Sequence, residues 1–149
     1  MNSYGLIDLH CDTLAEYWKY AHTGNPDTLD DPGRVLSLSN MPKDVHWAQF
    51  YAVFIPDEER GQAAIDCFEK NRANFYRQME KFGDRVAPCR NADDMEKAWA
   101  AGKTAAFLTI ENGSVLAGDL SRVHTLAEQG VRAITLTWNG ENELGSGHT

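Results

Sequence analysis

Three residues near two apolar runs carry types that can do chemistry. The first run, Leu6-Ile7-Asp8-Leu9-His10, leads into Cys11-Asp12, and a later one, Thr104 to Ile110, ends on Glu111. In an extended chain residues i and i+2 point to one side, about 6.6 Å apart along the strand, so the imidazole of His10 and the carboxylate of Asp12 face one point. Nitrogen and oxygen donors in that arrangement suit Zn²⁺. The same period of two puts Ala105, Phe107, Thr109 and Glu111 on one side and Ala106, Leu108 and Ile110 on the other. The second set is the better surface for packing under helices, which leaves Glu111 projecting toward His10 and Asp12, where a carboxylate can bridge two metals. Ordinary roles are open to all three: a satisfied core histidine, a helix N-cap, and the polar end of a strand entering Asn112-Gly113.

The other candidates point less firmly to chemistry. Asp8 has the parity of His10, which suits either a buried carboxylate behind the ligands or one bonded to backbone, while Cys11 points away and reads as a buried apolar residue. His22, His46 and His124 read as surface residues, and His148 lies close to the last residue of the sequence. The sequence contains no glycine-rich phosphate loop, nucleophile elbow or Cys-x-x-Cys pair.

The elements that must position these groups alternate in type. Leu6–His10 reads as a strand and Thr13 to Tyr20 as a short helix. Thr23 to Pro42 is rich in turn formers and reads as a long loop that continues to about residue 46. Trp47 to Ile55 is a second strand, and Asp57 to Phe82 is an amphipathic helix started by Pro56-Asp57 and stopped by Gly83. Asn91 with Asp94 resembles a cap for a helix ending at Gly102. A third strand spans Thr104 to Glu111. A helix opened by Gly118-Asp119 presents Leu120, Val123, Leu126 and Ala127 on one face, and a fourth strand spans Val131 to Trp138. The segment Asn139 to Thr149 is polar and glycine-rich. Alternation of this kind means right-handed βαβ units and a parallel sheet, so the fold class is α/β, with functional groups gathered at the carboxyl ends of the strands.

Composition narrows the function classes. With 149 residues, 14 basic against 22 acidic side chains and 15 aromatics, the chain is expected to be one globular domain with a substantial core. The net charge of −8 leaves no cationic footprint for nucleic acid. No run approaches the ~18 apolar residues that cross a bilayer. The start of the sequence has no basic n-region and does not read as a signal peptide. Three widely spaced cysteines argue against a disulfide framework, so a cytoplasmic setting is the expectation.

Taken together, IDLHCDTLAEYW, WAQFYAVFIP, TAAFLTIENGS and GDLSRVHTLAEQGVRAITLTWNGENELGSG resemble the membrane (renal) dipeptidase family of zinc metallopeptidases, in the family's order and spacing. The resemblance implies a (β/α)₈ barrel that hydrolyses dipeptides by attack of a metal-bound hydroxide, with two Zn²⁺ per complete site. It makes His10 and Asp12 ligands of one zinc, Glu111 the catalytic carboxylate bridging both, and Trp138 and Asn139 candidates for the substrate pocket. Many members carry a histidine where Trp138 stands, whereas relatives of bacterial type share Leu-Thr-Trp-Asn.

A second departure is length, since an eight-unit barrel needs about 250 residues. Residues 1–149 therefore read as the N-terminal half of a TIM-like barrel, inactive alone, whose open edges lead to self-association or wait for the C-terminal half. The dipeptide is the expected substrate partner. The alternatives are a catalytically inactive α/β association module, and another amidohydrolase-type metal hydrolase, since His-x-Asp after the first strand also occurs there.

Overall fold

The structure, a computed structural model, describes residues 4–14 and 28–149. Its strands are β1 (Gly5–Cys11), β2 (His46–Phe54), β3 (Val86–Pro88), β4 (Thr104–Glu111) and β5 (Val131–Thr135). Its helices are α1 (Gln62–Lys81), α2 (Ala92–Ala100) and α3 (Arg122–Glu128). Every strand pair is parallel, in the order β1-β2-β4. Beyond β4, two strands share one edge end to end: β3 pairs with its first residues (Val86 with Thr104) and β5 with its last (Glu111 with Thr135). Among the described residues the sheet does not close, and four long βα strands make a partial barrel.

The alternation read from β4 decides what lies on each face. Ala106, Leu108 and Ile110 join Tyr51 and Val53 of β2 beneath Phe68, Phe75 and Met79 of α1, in the larger core. Burying each such phenylalanine contributes roughly 1.5–3 kcal/mol. Ala105 and Phe107 face the other way, with Ala48 of β2, Cys89 and Ala98 of α2. There the Phe50 and Phe107 rings stack with centroids 4.7 Å apart. Helix α2 thus lies on the face opposite α1 and plugs the N-terminal end of the sheet. Its Trp99 donates from Nε1 to the Trp47 carbonyl at 3.0 Å, stacks on His46, and sits so close to Gly5 that a Cβ there would meet the ring at 3.1 Å. The Asn91 cap is as read: its side chain accepts from Asp94 N, and the Asp94 carboxylate accepts from Arg90 N.

Several expectations shift. Helix α1 starts at Gln62 rather than Asp57, because residues 56–61 form turns and Asp57 is held elsewhere. Helix α3 starts at Arg122, since Gly118 turns at φ +77° and Asp119 caps Ser121 N. Of its expected apolar face only Leu126 is buried, while Leu120 and Val123 stay exposed. The fourth strand stops at Thr135 rather than Trp138, because the Leu136 carbonyl accepts from Gly113 N and the Asn142 side chain. Strand β3 was not expected, being only three residues long. The long loop is anchored where it is described: Leu29 is fully buried and donates to Gln78 Oε1, and Asp30 takes a two-pronged bond from Arg85. Thr13 and Leu14 are buried in a turn, and the rest of the predicted Thr13–Tyr20 helix, like His22, lies outside the described residues.

Candidate metal centre

The end of β1 does not keep the simple alternation assumed from the sequence. Asp8 pairs with Gln49 but Cys11 pairs with Tyr51, so three residues of β1 span two of β2. This bulge inserts one residue and reverses the parity of everything after it. Asp8 and His10 consequently lie on different sides, and the expectation that Asp8 faces the site with His10 is corrected. The Asp8 carboxylate takes the other role open to it, a bond to backbone: it accepts from the N–H of His10 at 3.1 Å, holding the bulge in place. Cys11 turns into the core as expected, and burial pushes its thiol up to about 12.

His10 within the bulge and Asp12 just past it both approach Glu111. His10 Nε2 lies 3.5 Å from Asp12 Oδ1 and 3.6 Å from Glu111 Oε2. One donor atom from each of the three residues lies within 4.8 Å of the others. A tetrahedral ion with bonds of about 2.1 Å holds its ligands about 3.4 Å apart, so the two short separations fit ligands of a single ion. Glu111 is half-buried while His10 and Asp12 are exposed. Burial pushes the Glu111 carboxyl above its ordinary value; His10 pulls it back and the Asp12 charge raises it further. One imidazole nitrogen and two carboxylate oxygens form a donor set that suits a divalent cation of the zinc class.

Sequence reasoning missed the residues behind Glu111. Asn112 follows it at φ 80°, a region that non-glycine residues rarely enter, and is fully buried. Its Nδ2 donates to the Ile55 carbonyl at 2.9 Å and to Asp57 Oδ1 at 3.1 Å, and its Oδ1 accepts from Ser114 N and from Asn142 Nδ2. Asp57 Oδ2 also accepts from Gly140 N at 2.9 Å. Gly113 is needed next: a Cβ there would stand 2.6 Å from Leu144 Cδ1 and 2.9 Å from the Leu136 carbonyl. The one available signal was Asn-Gly directly after a strand, which reads as a turn and says nothing of the partners.

Trp138 packs edge-on against Phe54, the last residue of β2, with centroids 4.7 Å apart. The Asn139 carbonyl accepts from Thr149 N and Oγ1. His46 is half-buried on Trp99 at the opposite end of the sheet rather than on the surface, whereas His124 and His148 are exposed.

Parallel βα units whose carboxyl-end rim gathers an imidazole and two carboxylates define the class, an α/β protein of the barrel type. The chain belongs to the family described as membrane dipeptidase (peptidase family M19), whose profile matches residues 1–149. It is similar in fold to a metallo peptidase from Rhodobacter sphaeroides solved with a phosphinate mimic of the dipeptide L-Ala-D-Ala, at 16% identity and TM-score 0.77, over 95% of this chain and 47% of that one. The dipeptidase AC of family M19 matches at 18% identity and TM-score 0.75, over 93% of this chain and 44% of that one. The probable dipeptidase PvdM from Pseudomonas aeruginosa matches at 19% identity and TM-score 0.70, over 91% and 35%. The chain spans less than half the length of each of these structures.

Proposed function

We propose that residues 1–149 form the first half of a zinc-dependent dipeptidase barrel and supply part of its active site. The observation that carries this reading is the convergence of His10 Nε2, Asp12 Oδ1 and Glu111 Oε2 at separations that suit one ion, in a chain of the dipeptidase family. His10 and Asp12 would hold one Zn²⁺, with Glu111 reaching from β4 to bridge it to a second. Zinc, when bound, supplies Lewis-acid activation of water and of the scissile carbonyl. The residues themselves fix the geometry: the Asp8-braced bulge aims His10 and Asp12, and half-burial keeps Glu111 from being fully solvated. Trp138, held against Phe54, would form an apolar wall for the substrate side chain, with Asn139 beside it.

Three donors do not close two four-coordinate sites. On this reading the remaining ligands come from other strands of a completed barrel, and these residues alone show no dipeptide turnover. The exposed side chains of Leu9 (68%) on β1 and Leu136 (65%) beyond β5 favour association through the two open sides. No helix among the described residues is long and apolar enough to cross a membrane. Cys11, Cys67 and Cys89 are free thiols, which supports a reducing, cytoplasmic setting.

The test is a zinc titration against a chromogenic chelator. His10→Ala should weaken zinc binding by about 100-fold, since losing even a hydrogen-bond partner of a metal ligand typically costs about 10–100-fold. Equal affinity in the variant would overturn the assignment.

A further inference from the structure

The β2–β4 ladder ends in an unusual way. The Glu111 carbonyl accepts from Ile55 N at 3.0 Å, which pins Glu111 from one side. The next bond across the pair comes from a side chain, because the Ile55 carbonyl accepts from Asn112 Nδ2. The amide thus replaces the donor that the backbone forfeits by turning to φ 80°. Both its N–H groups and both acceptor positions on Oδ1 are used, and none of the residue is exposed. Of its partners, Asp57 follows β2, Ser114 lies just beyond β4, and Asn142 belongs to the segment after β5. A buried, fully paired network of this kind permits one arrangement and penalises others, because any broken bond leaves a polar atom without water.

We infer that Asn112 is a positioning residue for Glu111, and that Asp57 and Asn142 complete the clamp that fixes where the Glu111 carboxylate points relative to His10 and Asp12. The same clamp ties that carboxylate to the segment carrying Trp138, through Asn142 on the Leu136 carbonyl and Asp57 on Gly140 N. This inference rests on the metal reading of the three donors and adds to it the device that aims one of them.

Cobalt(II) titration of the 149-residue chain tests it, reading affinity and the visible absorption bands of the bound ion. Asn112→Gly tolerates the positive φ and removes only the amide, so far-UV circular dichroism should stay unchanged. Co²⁺ affinity should nevertheless fall at least tenfold with altered bands, since partners of metal ligands are typically worth about 10–100-fold in affinity. Asn142→Ala leaves Asn112 in place and should weaken Co²⁺ by about tenfold, the low end of that range; it decides the matter if the glycine variant does not fold. Unchanged affinity and bands in the folded variants overturn the positioning role, provided His10→Ala weakens binding by the expected factor of about 100. Failure of the unsubstituted chain to bind Co²⁺, or affinity left unchanged by His10→Ala, overturns the metal reading and this inference with it.

Discussion

The two ends of the sheet are built on opposite principles. At the N-terminal end, α2 drives Trp99 against Gly5, His46 and Trp47, and the contacts there are mostly ring against ring or ring against backbone. At the carboxyl end, β1 bulges, Asn112 takes a positive φ, and the side chains that meet are polar or charged. Barrel-type proteins divide labour in this way, with stability at the first end and chemistry at the second. On the proposed reading, irregular backbone at the carboxyl end is what aims the three donors, since local strain persists only where the surroundings over-determine it.

The largest effect expected from breaking this division is on stability. Trp99→Ala removes the ring that closes the N-terminal end and should lower unfolding free energy by about 3 kcal/mol, measured by urea denaturation. Metal affinity of the folded variant should stay within twofold. Glu111→Gln should do the reverse. Zinc affinity falls about 100-fold, equivalent to roughly 2.8 kcal/mol at 1.4 kcal/mol per decade, while the metal-free midpoint stays put or rises, because burial already disfavours the Glu111 charge. A Glu111→Gln chain that unfolds in buffer would show that the two ends are not separable.

The smallest effect concerns the loop brace. Arg85 holds the Asp30 carboxyl below its ordinary value through a two-pronged hydrogen bond. A carboxylate lowered in the folded state adds stability above its unfolded pKa and loses it as the pH falls through the lowered value. Asp30→Asn should therefore cost less than about 1 kcal/mol at neutral pH, as partly exposed pairs do, and the difference should vanish in strong acid. Thermal melts across pH 2–7 would check this, and a difference that grows toward low pH would contradict it.

The sequence made some of these features legible and hid others for physical reasons. The faces of β4 followed from period two, because nothing interrupts that strand between Thr104 and Glu111. The pairing of His10 with Asp12 was also legible, since only Cys11 separates them and their side chains meet. Asp8 was misplaced because a one-residue bulge leaves no mark in hydropathy and yet inverts a strand's faces. The start of α1 was misjudged for a related reason: an acidic run after proline suits a helix dipole, but Asp57 serves Asn112, 55 residues away. Contacts of such separation are set by topology, and local pattern does not encode them. Strand β3 is too short to show a period, and the Trp138 end of the predicted fourth strand was lost to a carbonyl recruited by Gly113 and Asn142.

The central claim is that three side chains from β1, the turn after it and β4 share an ion. Anomalous X-ray diffraction at the zinc edge, from crystals of the chain grown with ZnCl₂, tests it most directly. The expected result is an anomalous peak within about 2.0–2.2 Å of donor atoms of His10, Asp12 and Glu111 together. A peak at other residues, or none in crystals where these three are ordered, would contradict it.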